Sequence, residues 1–259
     1  MSGARPRQTA RRPDGSGSDG RRPPVDGLPA AAIFDWDGTI VDTLPLIYRA
    51  NVIVLGELGI TMSRTWFRER HSPDWRRGYR ELGVPEHLWD QTAARWAEEM
   101  GRMRPRALPW VRRALRQLRR NGVRLGLVTA STRGVVEPSL KRLNLAGLFE
   151  TAWYADDVRE NKPHPEALLL ALRDLGLAAE QTVYVGDTTV DLEMARAAGA
   201  RFAAVGATTA EPVFRAAGVD RVWIGVGAWT DELLASARGG GGAPTGPKPR
   251  RAPRAEHRG

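Results

Sequence analysis

Short apolar runs alternate with helix-like stretches along most of this chain. The apolar runs are typical of buried β-strands, and the stretches between them carry helical patterns. In chain order we predict strand Ala30–Phe34, helix Pro109–Asn121, strand Val123–Thr129, helix Arg133–Leu143, strand Glu150–Tyr154, helix Pro165–Leu175, strand Thr182–Gly186, helix Val190–Ala198, strand Arg201–Val205, helix Glu211–Ala217 and strand Arg221–Ile224. This alternation predicts an α/β fold, with a parallel sheet and helices on both faces.

The segment 46–108 interrupts that alternation directly after the first strand. It lacks strand signals and carries helical patterns at Pro45–Leu58 and Pro85–Met103. We therefore expect a small all-helical unit over 46–108, inserted into an α/β core formed by 30–45 and 109–236.

Two aspartates follow the first apolar run, in the sequence Asp35-Trp36-Asp37-Gly38-Thr39. Residues i and i+2 of an extended chain point the same way, so the carboxylates of Asp35 and Asp37 share one side. One carboxylate can then attack a phosphate ester while the other moves protons. Gly38 allows a tight turn beside a bound anion, and Thr39 supplies a hydroxyl and an N–H. Taken alone, Asp-Gly is also an ordinary turn signal.

Three further polar sites follow strand-like runs. Thr129 closes the second strand and offers a small hydroxyl for a phosphoryl oxygen, although the neighbouring Ser131 or Thr132 equally suits a helix N-terminus. Lys162 precedes a proline that opens a helix, in a chain with only three lysines among its 39 basic residues. Asp187 ends another strand, and Asp191 follows one helical turn later.

Each of these residues has an alternative interpretation. An isolated lysine is usually a solvated charge, and acidic residues at a helix start complement its dipole. Their common position favours a site, because ligands of open parallel sheets bind beyond the carboxyl ends of the strands. Two carboxylates such as Asp187 and Asp191 suit Mg²⁺, which prefers oxygen ligands.

Four motifs in this order resemble the haloacid dehalogenase-like hydrolase superfamily, and most of all its phosphoglycolate-phosphatase-like branch. The motifs are Phe34-Asp35-Trp36-Asp37-Gly38-Thr39, Val128-Thr129-Ala130-Ser131, Lys162-Pro163-His164-Pro165-Glu166 and Val185-Gly186-Asp187 with Asp191. The resemblance spans about 30–224. It implies a Rossmann-like parallel sheet and a helical cap at 46–108 that closes over the catalytic face.

The resemblance implies roles for the motif residues. Asp35 would be the nucleophile that forms an aspartyl-phosphate, and Asp37 would be the general acid and base. Thr129 and the N–H of Ala130 would bind phosphoryl oxygens. Lys162 would offset negative charge. Mg²⁺ would be held by Asp35, Asp187 and the backbone carbonyl of Asp37, with Asp191 orienting the set.

The cap carries a basic cluster that includes Arg68, Arg70, Arg76 and Arg77. It is either a solvated basic face with acidic neighbours or a place where one or two arginines, Arg76 for example, bind an anionic substrate.

The resemblance also separates the reactions of the family. Asp37 indicates phosphate ester chemistry rather than dehalogenation. Ile47 stands where β-phosphoglucomutases have a catalytic histidine, which argues against mutase activity.

Charge is concentrated in the termini. The formal charge of +9 divides into +3 for 1–29, +5 for the last 22 residues and +1 for the body. Both tails, 1–29 and 237–259, are rich in Pro, Gly, Ser and Arg, and we predict that they are disordered. Such tails bind nucleic acid weakly and nonspecifically if at all, because no recognition motif accompanies them.

Composition indicates a cytoplasmic enzyme without thiol chemistry. The chain has 42% hydrophobic residues, no cysteine, no apolar run of membrane-spanning length and no hydrophobic signal region. The leading hypothesis is a Mg²⁺-dependent phosphatase of a small anionic phosphomonoester such as phosphoglycolate. The alternatives are a sugar-phosphate or nucleotide phosphatase of the same superfamily, and a noncatalytic binding protein that uses its basic tails.

Overall fold

The first strand of the chain lies inside a six-stranded parallel sheet. In chain order the strands are β1 Ala31–Phe34, β2 Val41–Asp42, β3 Arg106–Ala107, β4 Arg124–Val128, β5 Thr151–Trp153, β6 Thr182–Gly186, β7 Arg201–Val205 and β8 Val222–Trp223. The sheet has the order β5-β4-β1-β6-β7-β8, while β2 and β3 form a separate antiparallel pair. All four side chains of β1 are fully buried, as expected for a central parallel strand covered on both faces.

The register of the three middle strands brings their carboxyl ends to one level. Phe34 at the end of β1 lies opposite Leu127 of β4 and Val185 of β6. The residues that follow these three strands therefore meet at the same edge of the sheet. This edge includes Asp35, Thr129 and Asp187.

This computed structural model describes residues 25–70, 75–206 and 208–239. The predicted disordered tails, 1–29 and 237–259, lie for the most part outside the described residues. The helices are α1 Leu44–Glu57, α2 Arg64–Arg70, α3 Trp75–Glu81, α4 Trp89–Arg102, α5 Val111–Arg120, α6 Arg133–Arg142, α7 Glu166–Leu175, α8 Thr189–Ala197, α9 Glu211–Ala216 and α10 Val226–Arg238. Within the described ranges, no helix is both long and apolar enough to cross a bilayer.

Alternation along β1 divides the core into two layers. Ala32 and Phe34 face a cluster that α5, α6 and α10 cover, and Ala31 and Ile33 face a second cluster covered by α7 and α8. The predicted α/β architecture with helices on both faces is confirmed.

In the part of the chain that the structure describes, helices α1 to α4 form the unit inserted after the first strand. They share two small apolar clusters, and Val135 of α6 packs against the one built on Ile47, Ala50 and Met100. The chain enters and leaves this unit through the β2–β3 ribbon, where Val41 lies opposite Ala107. The predicted helical insertion is present, but strand β3 lies within the range where no strand was expected.

The predicted core elements agree with the structure to within one or two residues at each end, and two features were missed. A two-residue strand such as β2 or β3 is too short for an alternating pattern to reveal it. Helix α10 could have been predicted. Its buried residues follow helical spacing in the sequence: Val226, Trp229, Thr230 and Leu234.

Trp229 of α10 should contribute strongly to stability. It is 4% exposed and meets the ring of Phe34 edge-to-face, with centroids 6.1 Å apart. We expect Trp229→Ala to lower the free energy of unfolding by about 3–5 kcal/mol, because the change leaves a large cavity beside β1. The measurement is urea denaturation. Ile224→Ala is the control, since Ile224 is 92% exposed and its loss should change stability by less than about 0.5 kcal/mol. Equal effects of the two substitutions would contradict the packing argument.

Candidate active site

A tight turn after β1 carries the two aspartates. The N–H of Asp35 donates to the carbonyl of Val185 at 2.9 Å, so the residue extends β1 and is held by β6. The carbonyl of Trp36 accepts bonds from the N–H groups of Ile40 and Val41, which closes the turn. Trp36 is buried in the core cluster that also contains Phe34.

The carboxylates of Asp35 and Asp37 have different partners. Asp35 accepts a hydrogen bond from Nζ of Lys162 at 2.5 Å. Asp37 accepts one from the hydroxyl of Ser131 at 2.6 Å. The sequence predicts that Ser131 or Thr132 caps the following helix, but α6 begins after Thr132 without a side-chain cap. Ser131 is thus a member of the site that sequence reasoning missed.

Lys162 joins two carboxylates in a buried space. Its Nζ lies 2.5 Å from Asp35 Oδ1 and 2.8 Å from Asp191 Oδ1, and the lysine side chain is 3% exposed. Asp191 is fixed from its other side, because its Oδ2 accepts bonds from the N–H and the hydroxyl of Thr188. Thr188 and Asp191 form a reciprocal capping box at the start of α8. The interpretation of Lys162 as a solvated surface charge is wrong.

Two threonines bracket Asp187. The hydroxyl of Thr39 donates to Asp187 Oδ1 at 3.0 Å, and the hydroxyl of Thr208 donates to Oδ2. Thr208 lies after β7, where the sequence offered no candidate. The N–H of its neighbour Thr209 also donates to the carbonyl of Asp187, so the segment after β7 helps to fix this residue.

Gly38 allows the turn to approach Asp187 closely. It has φ +74°, and a Cβ on it would lie 2.1 Å from Asp187 Oδ2. A side chain at this position is therefore excluded both by backbone conformation and by space.

Burial and mutual repulsion shift the protonation of these carboxylates. Burial raises the pKa of Asp35 well above its usual range, with Lys162 acting in the opposite direction and Asp191 and Asp187 adding to the rise. Burial, followed by the charge of Asp191, raises the pKa of Asp187 to about 7. Burial also raises the pKa of Asp37, against the hydrogen bond from Ser131. When these carboxylates are ionised, their combined negative charge exceeds the single positive charge of Lys162.

This surplus of negative charge suits a divalent cation. One carboxylate oxygen from each of Asp35, Asp187 and Asp191 lies within 4.8 Å of the others, and all three residues are buried. An all-oxygen set of this kind fits Mg²⁺. Asp37 is predicted at the metal through its backbone carbonyl, and its carboxylate is not part of this group.

The predicted phosphate-binding residues lie beside this group. Thr129 is buried and follows β4, and its Oγ1 accepts a bond from the N–H of Ser131 at 3.0 Å. Ala130 lies half-buried between them. Arg76 is separate: it is exposed on α3, with its guanidinium 4.5 Å from the ring centre of Trp75. Within the described part of the chain, the structure shows no hydrogen bond or ion pair from Arg76 to the carboxylates.

Comparison with known proteins agrees with this arrangement. The model of the family described as haloacid dehalogenase-like hydrolase matches residues 32–205, which contain all four motifs. The chain belongs to this family. The resemblance drawn from the motifs is therefore confirmed, and the chain is a hydrolase of the haloacid dehalogenase-like family.

Individual relatives extend the comparison. A phosphoglycolate phosphatase from Yersinia pseudotuberculosis is 32% identical over 180 residues, covering 64% of this chain and 76% of the relative. A Bacteroides fragilis protein described as a haloacid dehalogenase-like hydrolase superposes with a TM-score of 0.71 at 26% identity, over 76% of this chain and 98% of that one. CbbY from Rhodobacter sphaeroides, solved in complex with phosphate, gives 0.65 at 25% identity, over 77% and 96%.

Gly38 provides a test of the close approach between the turn and Asp187. We expect Gly38→Ala to lower the free energy of unfolding by about 1–3 kcal/mol more than Gly59→Ala, because only the first drives a methyl group into a packed neighbour. Gly59 is a matched control, since it has the same φ of +74° and nothing within 4 Å of its Cβ position. Urea denaturation of both variants measures the difference. Equal losses would show that backbone conformation alone restricts Gly38.

Proposed function

We propose that this hydrolase is a Mg²⁺-dependent phosphatase that cleaves a small anionic phosphomonoester through an aspartyl-phosphate on Asp35. The observation that carries the proposal is the position of Asp35. Its carboxylate follows the central strand, contacts the ammonium of Lys162 and belongs to the group of three buried carboxylates. A nucleophile that attacks an anionic phosphate needs positive charge beside it, which Lys162 supplies and which a cation at the three carboxylates would increase.

Asp35 and Asp37 divide the chemistry between them. An oxygen of Asp35 attacks phosphorus, and the bond from phosphorus to the leaving oxygen breaks. Asp37 gives its proton to that oxygen, then takes a proton from the water that hydrolyses the aspartyl-phosphate. Burial raises the pKa of Asp37, which is the direction that a proton donor needs. Burial raises the pKa of Asp35 as well, and the charge of Lys162 opposes that rise and favours the ionised nucleophile. The hydroxyl of Ser131, 2.6 Å from Asp37 Oδ2, orients it.

The remaining residues hold the phosphoryl group and the cation. Asp35, Asp187 and Asp191, with the carbonyl of Asp37, would hold Mg²⁺. When bound, the cation neutralises charge on the phosphate and the nucleophile. Thr129 and the N–H of Ala130 would bind phosphoryl oxygens at the end of β4.

The turn after β1 has a positioning role. The N–H of Gly38 already donates to the carbonyl of Val41, and the hydroxyl of Thr39 to Asp187. Gly38 therefore allows the tight turn but has no free N–H to bind the substrate. Thr39 holds Asp187, a proposed metal ligand, through its hydroxyl. The helical unit, with 46–108 as its predicted range, would close over this edge and select the substrate.

Phosphoglycolate is the first candidate substrate, because the curated relatives that match this chain at 30–32% identity are phosphoglycolate phosphatases. Sugar phosphates and nucleotides are alternatives. Arg76 remains the predicted contact to an anionic leaving group. A noncatalytic binding protein is disfavoured, since such a protein has no need for an ammonium group buried between two carboxylates.

Asp35→Asn should reduce phosphate release by roughly 10⁴-fold or more, because an amide cannot act as the nucleophile. The assay is phosphate release from a panel of phosphorylated metabolites that includes phosphoglycolate, with Mg²⁺ and with chelator. Asp220→Asn is the control: it makes the same change at an exposed position after α9 and should leave the rate unchanged. Retained activity in Asp35→Asn would remove Asp35 as the nucleophile.

Mg²⁺ should stabilise the wild-type protein and not Asp187→Asn. A cation at 100 times its dissociation constant adds about 2.7 kcal/mol to the free energy of unfolding, which for a chain of this size raises Tm by roughly 5–10 °C. Differential scanning calorimetry with Mg²⁺ and with chelator measures the shift. A wild-type Tm that does not respond to Mg²⁺ would argue against a metal at these carboxylates.

A further inference from the structure

Tyr184 places a hydroxyl group in the most deeply buried part of the sheet. It lies at the middle of β6, opposite Ile33 of β1, and is fully buried. Its neighbours Val183 and Val185 need no polar partner, whereas a buried phenol does. The partners that Tyr184 finds belong to the proposed catalytic centre.

The hydroxyl of Tyr184 connects two parts of that centre. It donates to the carbonyl of Val128 at 2.9 Å, and it lies 3.3 Å from Oδ1 of Asp191. Val128 immediately precedes Thr129, the proposed phosphate ligand. One hydroxyl therefore links the end of β4 to the first turn of α8.

The ring of Tyr184 also contacts the charged lysine. Nζ of Lys162 lies 5.2 Å from the ring centre, within the range of a cation–π interaction. The ammonium group has three N–H bonds, of which Asp35 and Asp191 accept one each. The ring faces the same ammonium group, so Tyr184 adds a third fixed neighbour to Lys162.

The direction of the bond to Val128 follows from the two groups. A carbonyl can only accept, so the hydroxyl of Tyr184 is the donor.

We propose that Tyr184 is a positioning residue, which sets Lys162 and Asp191 relative to Thr129 and so aligns the cation with the phosphoryl group. This inference rests on the proposed phosphatase function. The inference goes beyond the phosphatase function, because it assigns the alignment of cation and phosphoryl group to a residue inside the sheet that contacts neither the substrate nor the cation.

Three variants separate this role from simple filling of the core. Tyr184→Phe removes the hydroxyl and keeps the ring under Lys162, and Tyr184→Leu removes both. Tyr154→Phe removes a hydroxyl from another buried tyrosine, at the end of β5, and is the matched control. Each variant is tested for Mg²⁺ affinity by calorimetric titration, for kcat and KM of phosphate release, and for Tm.

We expect Tyr184→Phe to weaken Mg²⁺ binding by about tenfold, since loss of a residue that orients metal ligands typically costs 10–100-fold. The value of kcat should fall by a similar factor while KM and Tm change little. Tyr184→Leu should lose more kcat than Tyr184→Phe, because the contact of Lys162 with the ring is also lost. Tyr154→Phe should match the wild type in Mg²⁺ affinity and in kcat.

Wild-type values of Mg²⁺ affinity and kcat in Tyr184→Phe would overturn the inference, even if Tyr184→Leu fails to fold. Failure of the proposed function has a different signature: the wild type would release no phosphate from any substrate on the panel. The Mg²⁺ titration of wild type against Tyr184→Phe then still decides the role of Tyr184, because it needs no substrate.

Discussion

One charge imbalance governs the sheet edge at which the buried carboxylates of this protein meet. Three carboxylates, those of Asp35, Asp187 and Asp191, are buried together with one ammonium group, that of Lys162. Taking such charges out of water is expensive unless every oxygen has a partner. The hydroxyl groups of Thr39, Thr188 and Thr208 supply partners, and the turn at Gly38 brings Thr39 into reach of Asp187. The incomplete compensation explains why the same carboxylates suit a cation.

The sheet makes this arrangement possible by placing sequence-distant residues at one level. Asp35 and Lys162 are separated by 127 positions, yet their side chains form a direct ion pair. When the ends of parallel strands align in register, the residues that follow each strand lie close together. The same geometry places Tyr184, which lies inside the sheet on β6, next to Lys162 and Asp191.

Much of this could be predicted from the sequence, because the informative residues follow strands. Asp35, Thr129, Lys162 and Asp187 each come after or close to an apolar run, and the family's motifs occur in order. Ser131 and Thr208 were not predictable in the same way. Hydroxyl residues are common in loops, and their partners, Asp37 and Asp187, are 94 and 21 positions away. Helix α10 was missed although its spacing was regular, whereas the β2–β3 ribbon is too short to leave a pattern.

The β2–β3 ribbon has a consequence for how such a molecule diversifies. Val41 and Ala107 are paired neighbours, so the two points at which the helical unit joins the core lie about 5 Å apart. A module whose entry and exit nearly coincide can be exchanged, lengthened or removed without pulling on the strands that carry the carboxylates. The proposed tasks of substrate recognition and catalysis are thus physically separable, and exchange of the helical module alone would change the substrate range while the carboxylates at the sheet edge stay the same.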